Sequence, residues 1–247
     1  MMRTCALLLI KGSGSKVQIA VQDRRLRPRY TVEEASEYLS IPRGTLRAWT
    51  FGRRRPGTEH DYYPSVLEFV DHDNKLLSFY DLVEAHILRA AVECHASLKQ
   101  VKRGLAYLKS KYPNQSRPLL TFDFYTEGKY LLVGGMLGSR KKDREALVNV
   151  SKSGQLEMTP VIEDLLSFIG RDEHKMPNTL FPKEGGHVVS ITSGIVSGRP
   201  VIEGTRIPTA IIAERVLAGE TPTDLAVDYK LPLEKIEAAI KYEKAAA

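Results

Sequence analysis

Apolar residues first recur at a regular spacing directly after Thr31. Val32, Ala35 and Leu39 lie three or four positions apart, which is the pattern of an amphipathic helix with one buried side. Thr31 followed by Glu34 predicts a capping box, in which each of the two side chains satisfies a free backbone amide of the first turn. The pattern therefore predicts a short capped helix that begins just after Thr31.

A second short helix is predicted over residues 43–50, with Leu46 and Trp49 on its apolar side. Pro42 separates it from the first helix, because the residue before a proline avoids the helical conformation. Two short helices with such a break form a helix-turn-helix, whose second helix enters the major groove of DNA. The polar residues that we expect to face the groove are Arg43, Thr45 and Arg47.

A basic turn follows this unit, and it precedes tyrosines and an apolar stretch over residues 66–70. The order predicts a strand pair that closes near Lys75 and forms a wing beside the second helix. Arginines on a wing contact phosphates, which gives affinity for DNA and no choice of sequence. The alternative interpretation is a helical hairpin followed by a solvated basic loop. The predicted phosphate-binding residues are Arg53, Arg54 and Arg55.

The next part of the chain predicts two packed helices and a small mixed unit. Ser78 caps an amphipathic helix over residues 81–95, and Ser97 with Gln100 begins another one that ends at Pro113. Residues 121–133 predict a β-hairpin, and residues 147–150 predict another strand. A helix is expected from Thr159 to about Ile169, followed by irregular or extended chain over 177–183. The glycine-rich loop 134–138 lacks the ending of a phosphate-binding loop.

Three more helices are predicted after a strand at residues 187–191. Glu203 and Gly204 suit a tight turn between two very short strands. The helices begin at Pro208, Thr221 and Leu233, and in the first of them the expected apolar side is Ile211, Ile212, Val216 and Leu217. Their spacing is that of another helix-turn-helix. Its formal charge is about zero, so electrostatics favours a protein–protein module there over a DNA-binding one.

The positive charge of the chain is concentrated at its beginning. The 247 residues carry 36 Lys and Arg against 30 Asp and Glu, a net of +6. Residues 1–60 alone hold 12 basic and 5 acidic residues, a net of +7, whereas residues 183–247 have a net of −1. A concentrated basic region attracts nucleic acid through counterion release, although a solvated basic tail has the same composition.

The sequence contains few candidates for a metal site, a catalytic site or a membrane span. The two cysteines, Cys5 and Cys94, and the histidines His86 and His95 have no metal-ligand spacing, so we expect no metal site and no cofactor. Asp71, His72 and Asp73 are interpreted as a polar turn. No arrangement of nucleophile and base is evident, so the chain is expected not to be an enzyme. The apolar run at residues 5–10 is too short for a membrane span, and a cytoplasmic location is expected.

Two parts of the sequence resemble known families. A signature in the C-terminal part consists of Gly198, Pro200, Gly204, Thr205, Arg206 and Pro208. It is similar to the small C-terminal domain of VapB-like antitoxins, and the N-terminal part, from Tyr30 to Trp49 and again around Asp81, is similar to the MerR-type winged helix. Residues 1–29 fall outside the resemblance, and Pro42 with Gly44 departs from the Ser-Pro start common in MerR-type recognition helices.

The resemblance implies a type II antitoxin that binds operator DNA, silences a co-encoded PIN-like ribonuclease toxin and represses their shared promoter. A homodimer is expected because two copies match the half-sites of a palindromic operator. The alternative is a stand-alone MerR-type transcriptional regulator that responds to a small ligand, which would need an apolar pocket with a few convergent polar groups.

The expected fold class is α+β and mostly helical. Four regions are predicted along the chain: a flexible basic arm over 1–29, a MerR-like winged helix-turn-helix with a helical hairpin over 30–115, a small α+β unit over 116–184, and a C-terminal three-helix antitoxin-type domain over 185–247.

Overall fold

The computed structural model describes residues 23–54, 62–67, 71, 73–93, 97–114, 116–127, 130–136, 148–149 and 167–246. This part of the chain is a mixed α+β structure. Its α-helices are α1 (Val32–Leu39), α2 (Arg43–Phe51), α3 (Phe79–Glu93), α4 (Leu98–Lys111), α5 (Pro118–Thr121), α6 (Thr209–Leu217), α7 (Pro222–Tyr229) and α8 (Leu233–Ala246). None of these described helices is long and apolar enough to cross a bilayer.

The described strands form three antiparallel sheets. The strands are β1 (Arg53–Arg54), β2 (Tyr62–Tyr63), β3 (Phe122–Glu127), β4 (Tyr130–Met136), β5 (Val148–Asn149), β6 (Ile169–Arg171), β7 (Pro177–Leu180), β8 (Val189–Thr192) and β9 (Val201–Ile202). The first sheet pairs β1 with β2, the second has the order β3-β4-β5, and the third has the order β6-β7-β8-β9.

The capping box predicted for α1 is confirmed. The Glu34 amide donates to Thr31 Oγ1 at 3.1 Å, and the Thr31 amide donates to Glu34 Oε2 at 2.9 Å. The helix ends at Ser40, which is left-handed at φ 47° and ψ 43°. Leu46 and Trp49 of α2 are buried as expected. The two helices therefore form the predicted pair with its break before Pro42.

Helix α3 is the centre of the largest core, and its predicted amphipathic character is wrong. Twelve of its 15 residues are buried, because α1, α5, β7 and the 3-10 turn Arg24–Leu26 surround it. Two of its buried residues are acidic. Arg117 Nη1 lies 2.8 Å from Asp81 Oδ1 and 2.5 Å from Glu84 Oε2, so the buried charges are paired. Burial opposes the charge of Arg117, but the two carboxylates outweigh it and raise the pKa of the guanidinium.

The polar groups near this core fit structural roles. His86 is buried, with its ring centroid 6.5 Å from that of Phe168. Asp71 Oδ1 accepts a hydrogen bond from the Asn74 amide at 3.0 Å, which is the geometry of the expected polar turn. Within the described ranges no group of His, Cys, Asp and Glu could hold a metal ion. His72, Cys94 and His95 lie outside the described residues.

The middle of the chain contains the predicted hairpin. Strands β3 and β4 pair with Phe124 opposite Val133, and β5 joins β4. The helix expected from Thr159 lies largely outside the described residues. Its expected end at Ile169 is wrong, because Ile169–Arg171 is strand β6 and pairs with β7. The predicted boundary after residue 184 falls within one sheet, because β6 and β7 precede it and β8 and β9 follow it. The division into four regions stays a prediction.

Residues 23–29 differ from the expected flexible arm. Asp23 caps the 3-10 turn Arg24–Leu26, and the Tyr80 hydroxyl donates to Asp23 Oδ2 at 3.0 Å. Arg25 Nη1 donates to Asp172 Oδ2 at 2.6 Å and to the Pro177 carbonyl at 3.1 Å. These bonds connect the segment to both α3 and the third sheet. Hydrogen bonds between a guanidinium and a carboxylate are stronger than those between neutral groups, so they hold the segment in place.

The three C-terminal helices begin where the sequence predicts. Thr221 caps α7 with Pro222 at its first position, and Gly219, at φ 100°, follows the end of α6. The apolar side expected for α6 is wrong in part. Ile212 is fully buried and Val216 is partly buried, whereas Leu217 is 87% exposed and Ile211 is 40% exposed, because this short helix packs on α8 along a narrow stripe. The core beneath the helices consists of Ile202, Ile212, Leu225, Ile236, Ala239 and Ile240.

Candidate nucleic-acid interface

The second helix of the N-terminal pair, α2, presents a polar outer face. Arg43, Thr45 and Arg47 are exposed, whereas Leu46 and Trp49 point into the core. Residues four apart share one side of a helix, so Arg43 and Arg47 are neighbours on that face. The three residues predicted to read DNA are thus all accessible, although Thr45, two positions from each arginine, projects from a different side of the helix. Their role as DNA contacts stays a prediction.

The two arginines of this face have neighbours within the unit. Arg43 forms an ion pair with Glu33 of α1, with both side chains about half exposed. An ion pair so exposed contributes about 0–1 kcal/mol, so a phosphate can replace the carboxylate at little cost. The Arg47 guanidinium lies 6.0 Å from the centroid of the Phe51 ring. Both side chains are therefore held close to the helix and remain accessible.

A two-stranded ladder follows α2, and it begins earlier than predicted, because Arg53–Arg54 is its first strand and not part of a turn. Arg53 lies opposite Tyr63, and Arg54 lies opposite Tyr62. All four residues are exposed, with Tyr62 at 56% and Tyr63 at 47%. The Arg53 guanidinium lies 5.6 Å from the centroid of the Tyr63 ring. The four residues thus form paired strands where the alternative interpretation has a solvated basic loop, and the role of the ladder as a DNA-binding wing stays a prediction.

Gly52 makes the turn from α2 into this ladder. Its φ of 73° is a conformation that favours glycine, and a Cβ there would lie 2.4 Å from the Tyr63 carbonyl oxygen. The Tyr62 hydroxyl donates to the Phe51 carbonyl at 2.6 Å, which holds β2 against the end of α2. Arg55, the third predicted phosphate contact, lies outside the described residues.

The chain beyond β2 returns to the same helix. The backbone amides of Val66 and Leu67 donate to the Trp49 carbonyl at 2.8 Å and 3.1 Å. Lys102 Nζ of α4 donates to the Pro64 carbonyl. Ladder, α2 and α4 are thereby tied together, so the arginines on α2 and β1 are presented by connected elements.

Helices α7 and α8 repeat the geometry of α1 and α2. Thr221 caps α7 as Thr31 caps α1, and Lys230, at φ 53° and ψ 45°, takes the left-handed place of Ser40. The Leu231 amide donates to the Ala226 carbonyl at 3.0 Å, just as the Ile41 amide donates to the Ser36 carbonyl at 3.0 Å. Prolines 42 and 232 then precede the two second helices. The described chain therefore contains two helix pairs with the same turn.

The outer faces of the two pairs differ in chemistry. Arg43 corresponds to Leu233 in the second pair, and Arg47 corresponds to Glu237. Both replacements remove a positive charge from the position that would face a phosphate or a base edge. Of the two pairs, the N-terminal one has the electrostatics of a nucleic-acid interface.

The signature residues of the C-terminal part have packing and turn contacts. Gly198 is buried at φ 75°, against the hydroxyl of Tyr30. The Thr205 hydroxyl donates to the Ile202 carbonyl at 2.7 Å and accepts from the Ile207 amide at 3.1 Å, which closes the turn at Gly204. The Pro200 carbonyl accepts from the Thr209 amide, Pro208 precedes α6, and Arg206 is exposed.

Contacts between the C-terminal part and the N-terminal helix pair were not evident from the sequence. The Tyr242 hydroxyl of α8 donates to the Tyr38 carbonyl of α1 at 3.3 Å, and Arg29 Nη1 donates to the Ser193 carbonyl at 3.0 Å. Burial is the main cause that raises the pKa of Tyr38, to about 12. No local pattern could indicate these bonds, because their partners lie more than a hundred residues apart.

Comparison with known proteins agrees with an antitoxin-like relationship. A family model described as "Protein of unknown function (DUF433)" matches residues 189–242. The chain is 25% identical over 224 residues to "Putative antitoxin VapB45" of Mycobacterium tuberculosis, and the match covers 86% of this chain and 92% of that protein. It is 27% identical over 234 residues to "Uncharacterized protein Rv2308" of the same organism, covering 88% and 91%.

The fold as a whole has a counterpart among solved structures. The crystal structure of Rv2018 from Mycobacterium tuberculosis superposes with a TM-score of 0.57 and 21% sequence identity, and the match covers 87% of this chain and 98% of that one. At this identity the likeness concerns the fold alone.

Proposed function

We propose that this chain is a DNA-binding antitoxin. In this proposal it neutralises a co-encoded PIN-like ribonuclease toxin and represses the promoter that the two genes share. The observation that carries the antitoxin role is the match to VapB45, because it extends over most of both chains and not over one module. The toxin partner and the promoter follow from that role and from the resemblance of the N-terminal part to MerR-type regulators.

The DNA-binding part of the proposal rests on the N-terminal helix pair and its ladder. Arg43, Thr45 and Arg47 would reach base edges in the major groove, while Arg53 and Arg54 would contact phosphates. Pro42 offers no side chain to cap α2, so the first amides of that helix are available to a phosphate. Two copies of the chain would bind the two halves of a palindromic operator as a homodimer.

A salt titration with the DNA upstream of the gene tests this assignment. Arg53→Ala with Arg54→Ala should weaken binding to all sequences and lower the slope of log K against log salt by about 2, since each phosphate contact contributes about 1. The matched control is Lys241→Ala with Lys244→Ala, which removes the same charge from exposed positions on α8. An unchanged slope for the arginine variant would exclude the wing, and a lower slope for the lysine variant would move DNA binding to the C-terminal pair.

The toxin is tested by co-purification. The chain is expressed with the products of its neighbouring genes, and the proteins that stay bound at moderate salt are identified. We expect a small ribonuclease whose RNA cleavage is suppressed in the complex. Tight binding to the promoter without any such partner would instead support the stand-alone regulator.

The regulator alternative needs a ligand site. A cavity between α3, α4 and α5, lined by Glu84, Lys109 and Arg117 among others, has a volume of about 10 Å³. That is room for about one water molecule, whereas ligand pockets measure roughly 300–1,000 Å³. This cavity does not favour the alternative.

A further inference from the structure

The end of α1 leads directly into the break before α2. A helix leaves its last four carbonyl groups without partners inside the helix, and in α1 these belong to residues 36–39. Two of them are satisfied within the turn itself. The Ser40 amide donates to the Glu37 carbonyl at 3.1 Å, and the Ile41 amide donates to the Ser36 carbonyl at 3.0 Å. This is a Schellman motif, with the left-handed Ser40 as its turning residue.

The other two carbonyls of this helix end accept from distant parts of the chain. The Tyr242 hydroxyl of α8 donates to the Tyr38 carbonyl at 3.3 Å, across 204 positions. Arg89 Nη1 of α3 donates to the Leu39 carbonyl, across 50 positions. All four terminal carbonyls of α1 are therefore satisfied, two by local amides and two by side chains of α3 and α8.

Arg89 uses each of its nitrogens for a different element. Its Nε donates to Glu93 Oε1 within α3 at 2.8 Å, and its Nη2 donates to Glu184 Oε1 at 2.8 Å. Glu184 belongs to the 3-10 turn Lys183–Gly185. Burial opposes the charge of Arg89, but the hydrogen bonds to the two carboxylates outweigh it and raise the pKa of the guanidinium. One charged side chain thus joins α1, α3 and this turn.

The turn Lys183–Gly185 is itself fixed between α3 and α8. Lys183 Nζ donates to Glu93 Oε2 at 2.9 Å on the α3 side. On the other side the turn packs on α8, and a Cβ at Gly185 would lie 3.4 Å from Tyr242 Cδ2. The acceptor that holds Arg89 is therefore part of a packed contact with the C-terminal helix.

Glu184 depends on Arg89 for its charge. Its Oε2 atom is buried and has no hydrogen-bond partner among the described residues, so the ion pair at Oε1 is what compensates the carboxylate there. A carboxylate that loses its cation in a poorly solvated place is strongly destabilised. Removal of Arg89 would therefore free the Leu39 carbonyl and also displace the turn that holds Glu184.

The N-terminal end of α2 begins close to this contact. Three residues separate Leu39 from Arg43, the first residue of α2, and one of them is Pro42. The opposite end of α2 is fixed separately, because the amides of Val66 and Leu67 donate to the Trp49 carbonyl. A recognition helix contacts base edges with its N-terminal residues. The bond to the Leu39 carbonyl thus acts on the end of α2 that would enter the groove.

We infer that Arg89 is a positioning residue of the DNA-reading helix, which holds the end of α1 against the turn Lys183–Gly185 and so fixes the direction in which α2 presents its outward side chains. The inference rests on the proposed DNA binding. Its side chain is only 17% exposed, so this role requires no contact between Arg89 and DNA. Base recognition by the N-terminal helix pair then depends on residues of the C-terminal half of the chain.

The test replaces Arg89 by methionine, which keeps the aliphatic part of the side chain and removes its charge and donors. The matched control is Arg215→Met. Arg215 also binds two carboxylates, Glu220 Oε1 at 2.7 Å and Asp228 Oδ2 at 2.6 Å, but these lie within the C-terminal helices. Binding of the full chain to the upstream DNA and to a scrambled duplex of equal composition is measured over a range of salt concentrations.

We expect Arg89→Met to bind the upstream DNA about tenfold more weakly, a factor within the range for residues that affect binding without touching the ligand. Binding to the scrambled duplex and the slope of log K against log salt should stay as in the wild type, because the number of phosphate contacts is unchanged. Arg89→Lys retains the charge and should recover part of the loss. Arg215→Met should bind both duplexes as the wild type does.

A second variant, Tyr242→Phe, protects the test against loss of folding. It removes only the hydroxyl that donates to the Tyr38 carbonyl, and it should lower the ratio of the two affinities in the same direction by a smaller factor. Hydrogen exchange of the free chain adds a readout without DNA. The amides of Ser40 and Ile41 and those of the first turn of α2 should exchange faster in Arg89→Met than in the wild type or in Arg215→Met.

The outcomes that overturn the inference are distinct. A salt slope lower by about 1 in Arg89→Met would make Arg89 a phosphate contact. An equal loss of affinity for both duplexes, or the same loss in Arg215→Met, would reduce Arg89 to a contribution to general stability. Exchange at wild-type rates in Arg89→Met, with DNA binding intact in the wild type, would refute the inference alone. A wild-type chain that binds neither duplex would refute the proposed DNA binding, and with it the DNA-reading role of α2.

Discussion

Replacement of Gly198 by alanine would place a methyl group where the Tyr30 hydroxyl lies. A Cβ at Gly198 would be 2.1 Å from Tyr30 Oη and 3.1 Å from Cζ, and the residue has a φ of 75°. Gly204 has a similar φ of 79°, but a Cβ there meets nothing within 4 Å. Gly204→Ala therefore measures the cost of the backbone conformation alone, and Gly198→Ala adds the cost of the collision with Tyr30.

The magnitudes follow from these distances. A left-handed conformation costs an alanine about 1–2 kcal/mol, so Gly204→Ala should lower the free energy of unfolding by about that amount. Gly198→Ala adds the displacement of a buried tyrosine, for which overpacking costs about 1–3 kcal/mol more. Tyr30 Oη is buried and has no hydrogen-bond partner among the described residues. Tyr30→Phe alone should therefore change stability by less than about 0.5 kcal/mol.

A double-mutant cycle consists of the wild type, Gly198→Ala, Tyr30→Phe and the double variant. Urea unfolding of these four proteins measures the coupling energy between Gly198 and Tyr30. Trp49 is the only tryptophan and is 5% exposed, so its fluorescence reports on the N-terminal helix pair. Tyr30→Phe removes the nearest colliding atom, and the double variant should recover about 1 kcal/mol or more of the loss caused by Gly198→Ala. Additivity of the two changes within about 0.5 kcal/mol would refute the contact between the signature loop and the start of the helix pair.

Two further predictions concern local geometry and pH. Gly44→Ala should stabilise the chain by up to about 1 kcal/mol, because a Cβ there meets nothing within 4 Å. Gly52→Ala should destabilise it, because Gly52 has a φ of 73° and a Cβ there would collide with the Tyr63 carbonyl oxygen. Urea unfolding compares the two variants, and equal changes in the free energy of unfolding would contradict the turn at Gly52 between α2 and β1. Burial acts to raise the pKa of Asp172, but hydrogen bonds led by that from Arg25 outweigh it and hold the pKa below its usual 3.8. A depressed pKa in the fold stabilises it above the unfolded pKa, and this contribution is lost as pH falls through the folded value. Arg25→Met should therefore destabilise the chain at pH 6 and progressively less below about pH 4, and a difference that is constant with pH in unfolding experiments would exclude the pair.

The two helix pairs, α1 with α2 and α7 with α8, have the same turn but different outward side chains. They share caps, left-handed turn residues and prolines at equivalent positions, so the turn geometry alone does not decide what each one binds. The outward side chains differ: arginines on α2 stand where α8 has Leu233 and Glu237. The hydrogen bond from the Tyr242 hydroxyl of α8 to the Tyr38 carbonyl of α1 connects the two pairs directly.

The sequence determined the local elements of this protein. The capping box of Thr31 and Glu34, the break before Pro42 and the start of α7 at Thr221 depend on neighbours along the chain, and each was predicted where it occurs. The outward position of Arg43, Thr45 and Arg47 also followed from helical periodicity. Such features depend on backbone amides and side chains within one or two turns, so the linear order contains the necessary information.

Tertiary structure alone decided which surfaces are buried and which are free. It buried twelve of the 15 residues of α3, fixed Arg25 on Asp172, joined β6 to β9 across an expected boundary and left Leu217 exposed on a helix whose Ile212 is buried. Each of these outcomes depends on elements that meet from distant parts of the chain. Periodicity shows that a helix has an apolar side, but the neighbours that arrive in the fold decide how much of that side is covered.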